Sequence, residues 1–207
     1  MKFHNYLLFS VLFFYTSILL SGDIRTLNIN ADMNNLSDRG YINFKCRSSN
    51  NKISSWKEYK KCPLSEDGSY FIKLEYDEKF AFNENFEGTQ VAGHPVLMYL
   101  GIDKKGLLKI IDIITDPSAP FYFRKQAHLM WLRIYGKYGS EGWNCKNFDK
   151  KDDHVVIGKK YINRSCEKKI DKIRSVSVET KFFFKNNKKD KENLVSATNL
   201  KIFRNNI

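Results

Sequence analysis

Alternating apolar and polar positions are clearest at residues 70–76, where Lys73 and Glu75 share the polar face. A period of two residues predicts a half-buried β-strand. Two strongly apolar runs follow at 96–100 and 107–115, joined by a connection that contains aspartate and glycine. Because glycine takes the positive φ of a tight turn, we predict that the two runs form a hairpin. The second run is apolar on both faces, which favours a central strand.

The strongest helical pattern covers residues 121–138 and begins just after Pro120. Its apolar side chains recur every three to four residues, which predicts one long amphipathic helix. We predict that Trp131 on this helix and Trp143 beyond it are core residues. A shorter helix is predicted at 53–61, because serines near its start and a proline after its end mark its limits.

The C-terminal part of the chain is polar but keeps a strand pattern. Residues 176–184 alternate, and residues 194–203 can return antiparallel to them across a loop rich in lysine and asparagine (186–193). The two segments predict a hairpin with a basic tip. A mobile tail is the alternative, but the phenylalanines of this region need a core to pack against.

These elements define the expected fold and its divisions. We predict an α+β fold in which a small antiparallel sheet packs against one main helix and disulfides add stability. The expected organisation is a signal peptide (1–22), an irregular N-terminal arm (23–43), an α+β core (44–148) and a basic C-terminal extension (149–207).

The first residues have the order of a signal peptide. A lysine near the start precedes an uncharged run at 6–20, and the small residues Ser21 and Gly22 follow. The run is shorter than the roughly 20 residues that span a bilayer, although an uncleaved anchor is the alternative. We therefore expect a secreted, extracellular protein with no transmembrane segment in the mature chain.

Four cysteines are expected to form two disulfides in an oxidising compartment. They are Cys46, Cys62, Cys145 and Cys166, and the sequence alone leaves all three pairings open. None of them has the close spacing of a structural zinc site, so we predict no metal site. Asn35 and Asn163 begin Asn-x-Ser tripeptides, the acceptor pattern for N-glycosylation.

The chain carries a formal charge of +12, most of it in the C-terminal part. Residues 150–207 contain 16 Lys or Arg against 7 Asp or Glu. A basic surface of this kind attracts RNA and other anionic partners, although a solubilising face is the simpler interpretation. The residues that we predict to bind a nucleic acid or another partner are Arg124, Lys125, His128, Lys185, Lys188, Lys189 and Lys191.

Catalytic chemistry has little support in the sequence. The chain contains no nucleophile elbow, zinc-protease helix, phosphate-binding glycine loop or dinucleotide fingerprint, and no cofactor is predicted. His94 is the one catalytic candidate, because it precedes Pro95 at a strand start, where a side chain can face a cleft. Arg124 and His128 lie one helical turn apart and can bind phosphate together, although a solvated helix flank is the simpler interpretation.

Two short motifs point to a known group of proteins. A Phe-Lys-Cys tripeptide at 44–46 follows the N-terminal arm, and a His-Pro-Val-Leu sequence at 94–97 opens an apolar strand. The stretch from Phe44 to Cys145 resembles the small secreted effectors of powdery mildew fungi, many of which have a ribonuclease-like fold. The second motif is similar to the aromatic-Pro-Ile-Leu strand of guanyl-specific fungal ribonucleases. The resemblance implies a bridge between Cys46 and Cys145.

The chain departs from those ribonucleases at each catalytic position. It has no Pro-His pair near 70–73, no carboxylate at 92–94 and no histidine near 115–116. Because this cleavage mechanism needs a positioned base and acid, the resemblance implies a ribonuclease-like fold without the activity.

We therefore expect a non-catalytic, effector-like secreted protein that binds a host target, with RNA or a ribosome-associated surface favoured by the charge. The first alternative is an active ribonuclease, or a hydrolase of chitin or another glycan, that uses His94. The second is a carbohydrate-binding module that uses Trp143 and exposed tyrosines.

Overall fold

One antiparallel sheet of nine strands organises the molecule. The computed structural model describes residues 23–80 and 88–205, so the predicted signal peptide lies outside the described residues. The strands are β1 (Tyr41–Cys46), β2 (Ser69–Tyr76), β3 (Gln90–Val91), β4 (His94–Asp103), β5 (Leu108–Thr115), β6 (Asn144–Asn147), β7 (Ile162–Lys169), β8 (Arg174–Phe184) and β9 (Leu194–Arg204). The helices are α1 (Phe121–Arg124) and α2 (Met130–Tyr138), with 3-10 helices at Trp56–Lys61, Glu78–Phe80 and Ala127–Leu129.

Two meanders make up the sheet, whose strand order is β1-β2-β4-β5-β9-β8-β7-β6, with β3 paired to the start of β4. After β5 the chain passes through α1 and α2 to the far edge of the sheet at β6. It then returns strand by strand until β9 pairs with β5. The C-terminal strands β7 to β9 thus continue the same sheet as β1 to β5.

The core lies on one face of the sheet, because the period-two patterns of five neighbouring strands are in register. Ten apolar residues form two rows across these strands and are at most 2% exposed. One row is Ile72, Leu100, Ile111, Ile202 and Val176, and the other is Leu74, Met98, Ile113, Leu200 and Val178. Burying each such side chain contributes about 1.5–3 kcal/mol. The same core also contains Met130 and Ile134 of α2, with Leu27 and Met33 of the N-terminal arm.

The predicted strand at 70–76 and both predicted hairpins are confirmed. In the β4–β5 turn, the carboxylate of Asp103 accepts hydrogen bonds from two backbone N–H groups of the turn, at 2.9 and 3.0 Å. Gly106 has a φ of +88°, and a Cβ at this position would lie 2.3 Å from the side chain of Asn34. The conformation and the close approach both require glycine here.

The prediction of one continuous helix at 121–138 is wrong, because the structure divides this segment into α1, a 3-10 helix and α2. At the break, two side chains of β9 donate hydrogen bonds to main-chain carbonyls of this segment. The hydroxyl of Ser196 donates to the carbonyl of Lys125 at 3.2 Å, and that of Thr198 donates to the carbonyl of Ala127 at 2.9 Å. These partners come from a distant strand, so helical periodicity cannot reveal them.

The predicted antiparallel sheet and disulfides are confirmed, but the predicted proportions of sheet and helix are not. The sheet is large rather than small, and the longest helix of the described residues has only nine residues. The helix predicted at 53–61 is a 3-10 helix over Trp56–Lys61, and Ser55 caps it by accepting the N–H of Lys57. The protein is mostly antiparallel sheet with few helices and two disulfides.

Both expected disulfides are present, and each is local in the fold. Cys46 pairs with Cys62, and Cys145 pairs with Cys166 across β6 and β7. The bridge between Cys46 and Cys145 that the resemblance implied is wrong. These two residues lie on β1 and β6, the outermost strands of the sheet, whereas a disulfide needs Cα atoms within about 7 Å of each other.

Candidate nucleic-acid interface

Two of the predicted binding regions, far apart in sequence, meet at one end of the sheet. The ammonium group of Lys191, in the β8–β9 loop, lies 5.4 Å from the ring centre of Phe121 in α1. At the start of β9, the hydroxyl of Ser196 donates to the carbonyl of Lys125 at 3.2 Å. The fold therefore brings Lys191 close to α1, which contains Arg124 and ends beside Lys125.

Short-range contacts hold the arginine of α1 in place. The Nε of Arg124 donates to the carbonyl of Ala119 at 3.1 Å. Its guanidinium carbon lies 5.6 Å from the ring centre of Phe121. Because the guanidinium group is planar and rigid, an arginine held in this way presents a fixed fork of donors that suits a phosphate.

The neighbouring tyrosine is the most exposed large apolar side chain of this end. Tyr122 is 62% exposed, and the ammonium group of Lys125 lies 5.1 Å from its ring centre. We call Phe121, Tyr122, Arg124, Lys125 and Lys191 the basic-aromatic surface. Its cations can neutralise phosphates, and the exposed ring can stack on a base.

The β8–β9 loop extends this surface with three further predicted residues, Lys185, Lys188 and Lys189, which are all exposed. The carboxylate of Asp190 accepts hydrogen bonds from the backbone and side-chain nitrogens of Asn193, at 2.9 and 2.7 Å. The N–H of Asn187 donates to the carbonyl of Asp153 at 2.9 Å. These contacts fix the course of the loop and so the positions of its lysines.

His128 lies beneath the basic-aromatic surface rather than on it. Its side chain stacks on Phe182 of β8 with the ring centres 3.8 Å apart, and its Nδ1 lies 3.1 Å from the hydroxyl of Ser196. Burial lowers the pKa of His128 to about 4. The imidazole is therefore uncharged near neutral pH and supplies no cation for a phosphate.

His94, the one catalytic candidate, begins β4 and is half-buried. Burial, together with the positive charge of Arg133, lowers the pKa of His94. His94 and Asp116 both border a gap that leaves no room for a water molecule. On the side of this gap, the imidazole has no space for a substrate.

An open cleft of about 790 Å³ lies at the same end of the sheet. It is bordered by β2, by residues 88–90, by the start of β4 and by the segment that leads from β5 into α1. Its polar side chains include Glu75, Gln90, Asp116 and Ser118, and its apolar side chains include Pro95, Pro120 and Phe123. No motif in the sequence indicates this cleft, because its walls come from separate segments of the chain.

The aromatic residues proposed for carbohydrate binding already have partners within the chain. The rings of Tyr135 and Trp143 are parallel, with centres 4.9 Å apart. The guanidinium of Arg164 on β7 lies 3.9 Å from the ring centre of Trp131 on α2. Both tryptophans are half-buried against the core, so these contacts join α2 to the edge of the sheet.

The two glycosylation candidates differ in their surroundings. Asn35 is exposed in the N-terminal arm, where its side chain donates to Asp32 at 2.7 Å. Asn163 is half-buried within β7, opposite Lys181 of β8, and its side-chain nitrogen lies 3.5 Å from the hydroxyl of Tyr161. Asn35 is the more accessible acceptor.

Comparison with protein-family models, with curated proteins and with solved structures gave no match. Within residues 23–80 and 88–205, no helix is long and apolar enough to cross a membrane. In the same part of the chain, no three His, Cys, Asp or Glu side chains are grouped to hold a metal ion.

Proposed function

We propose that this is a non-catalytic protein that binds RNA at its basic-aromatic surface. The observation that carries the proposal is the position of Lys191 over Phe121, beside exposed Tyr122 and its neighbour Lys125. Cations from two distant parts of the chain thus surround two aromatic rings. Proteins that bind nucleic-acid strands combine these groups, because cations neutralise phosphates and rings stack on bases.

The charge of the whole chain supports the same proposal. The formal charge is +12, and four lysines lie in the β8–β9 loop alone. A positive field of this kind attracts polyanions from a distance and raises the rate of association. The basic-aromatic surface lies beside this loop, so the long-range attraction leads a polyanion to it.

The proposed activity is binding without cleavage. General acid–base cleavage needs two groups that reach the substrate and exchange protons near neutral pH. His128 is stacked inside the fold and His94 faces a gap too small for a substrate. Neither histidine is placed for this task.

The proposal includes secretion and the effector-like, ribonuclease-like class that the sequence resembles. The leader at 1–22 and the tripeptide at 44–46 support it. The two disulfides also support it, because such bonds persist in oxidising compartments. The cleavage chemistry of that class is not part of the proposal.

Fluorescence polarisation with a labelled RNA oligonucleotide at low salt tests the proposal. The protein is expressed with its leader in a eukaryotic secretory host, where we expect it in the medium without residues 1–22. The double variant Lys125→Glu, Lys191→Glu should bind RNA at least about tenfold more weakly. The plot of log affinity against log salt should become less steep, with a slope smaller in magnitude by about two, because one phosphate contact is lost with each lysine.

The matched control is Lys57→Glu with Lys105→Glu, which changes the net charge equally at two exposed lysines away from α1. We expect this control to keep most of the affinity. Equal losses in the two double variants would show a merely solubilising charge and contradict the proposal. Binding of anionic lipid vesicles but not RNA would replace RNA by a membrane surface, and shortening of the RNA would contradict binding without cleavage.

A further inference from the structure

The open cleft adjoins the basic-aromatic surface through one short segment. Phe123 lines the cleft, and its ring lies edge-on to that of Tyr122 with centres 5.5 Å apart. Ala119 also lines the cleft, and its carbonyl accepts the hydrogen bond that positions Arg124. A strand held on the surface by its phosphates therefore passes the mouth of the cleft.

The walls of the cleft combine flat apolar groups with polar groups. Pro95, Pro120 and Phe123 supply apolar surface. Hydrogen-bonding groups on the other walls include Glu75 and Ser118. The carboxylate of Glu75 accepts from the side chain of Asn43 at 2.6 Å, which fixes its direction.

We propose that this cleft receives an unpaired base of a single nucleic-acid strand whose phosphates lie on the basic-aromatic surface. This inference rests on the proposed function and adds the class of nucleic acid. A base has two flat apolar faces and an edge of donors and acceptors, which the two kinds of wall match. The cleft, at about 790 Å³, lies within the usual size of ligand pockets, about 300–1,000 Å³.

A duplex cannot use the cleft in this way. Its bases are stacked inside the double helix and leave it only at a cost in stacking and pairing energy. The phosphates of a duplex can still bind the cations of the surface. Filling the cleft should therefore weaken binding of single strands and leave duplex binding unchanged.

The test is Ser118→Trp, which places a large side chain in the cleft at an exposed position. The hydroxyl of Ser118 donates to Asp116 at 2.7 Å, so Ser118→Ala is the matched control that loses this bond without filling the cleft. Fluorescence polarisation measures both variants with one RNA sequence, as a single strand and as a duplex. We expect Ser118→Trp to weaken single-strand binding about tenfold, the loss of one stacked base, with duplex affinity unchanged.

Failure of this inference is distinguishable from failure of the proposed function. If the unchanged protein binds neither form of RNA, the proposed function fails and the inference fails with it. If the protein binds RNA but Ser118→Trp lowers neither affinity, or lowers both equally, only the inference is overturned. An equal loss in Ser118→Ala would assign the effect to the hydrogen bond with Asp116 and would also overturn it.

Discussion

At the scale of single residues, His128 shows how a predicted binding residue becomes part of the core. The hydroxyl of Ser196 donates its proton to the carbonyl of Lys125, so it accepts from the backbone N–H of His128. The Nδ1 of His128 also lies 3.1 Å from the same oxygen. One serine thus contacts both the backbone and the ring of His128, and the ring stacks on Phe182.

This arrangement predicts that the protein loses stability as the pH falls from 7 to 5. In the unfolded chain a histidine takes up a proton below its ordinary pKa of about 6.5. In the folded protein the pKa of His128 is lowered to about 4. The unfolded state therefore binds more protons between these values. The free energy of unfolding is lower by about 2 kcal/mol at pH 5 than at pH 7.

Urea unfolding at pH 7 and pH 5 measures this difference, with His128→Phe as the comparison. The variant keeps a ring to stack on Phe182 but has no proton to exchange. We expect it to be less stable at pH 7, because the hydrogen bond to Ser196 is lost, and to show a smaller fall at pH 5. An equal fall in both proteins would contradict the role of His128.

At the scale of elements, one arginine links the end of β1 to the centre of the sheet. Arg47 follows β1, and its Nη1 lies 2.9 Å from the carboxylate of Asp112 on β5. The guanidinium carbon lies 4.3 Å from the ring centre of Tyr99 on β4, between them in the sheet. Asp112 is only 2% exposed, so this arginine is what compensates its charge.

Arg47→Ala should destabilise the protein by about 2 kcal/mol. Removing one partner leaves a buried carboxylate unpaired, which usually costs about 3–5 kcal/mol, and the partial exposure of Arg47 reduces the effect. The double variant Arg47→Ala, Asp112→Asn should recover part of the loss, because no buried charge remains. Urea unfolding of both variants checks this, and a double variant less stable than Arg47→Ala would contradict it.

The elements also show what the sequence can predict and what it cannot. The strand at 70–76 and the hairpin of β4 and β5 follow from local alternation and from a glycine turn, so they were predicted well. The prediction of a single helix at 121–138 was wrong because the hydroxyls of Ser196 and Thr198 on β9 donate hydrogen bonds to main-chain carbonyls within this segment. Partners that lie far away in sequence leave no local signal.

The same limit applies to the candidate site. The charges of Arg124, Lys125 and Lys191 predict a binding role, but their meeting at one end of the sheet depends on the pairing of β8 with β9. The part played by Phe121 and Tyr122 was missed, because aromatic residues in a helical pattern are usually core residues. The cleft is bordered by four separate segments, and no spacing in the sequence indicates it.

At the scale of the whole molecule, the order of strands joins the N-terminal and C-terminal meanders of the sheet. β9, the last strand, lies between β5 and β8 and pairs with both. The two apolar rows of the core run through it by way of Ile202 and Leu200. Both meanders therefore depend on β9, which comes after the other eight strands in the sequence.

This topology predicts that residues 23–148 do not fold alone. Without β7 to β9, β5 becomes an edge strand, and its buried Ile111 and Ile113 lose the neighbours that cover them. An apolar strand with an unpaired edge promotes aggregation. We expect a fragment of residues 23–148 to lack a cooperative unfolding transition, to show little near-ultraviolet circular dichroism and to bind a dye for exposed apolar surface.

The fragment carries Cys145→Ser, because the partner cysteine is absent from it. The matched control is the chain from residue 23 to 207 with Cys145→Ser and Cys166→Ser, which keeps every strand but lacks the same disulfide. We expect the control to unfold cooperatively, with a stability lowered by roughly 3 kcal/mol, because the lost bridge closes a short loop. A fragment that unfolds as cooperatively as the control would show that β1 to β5 form an independent unit, and β9 would then be an addition to a finished sheet.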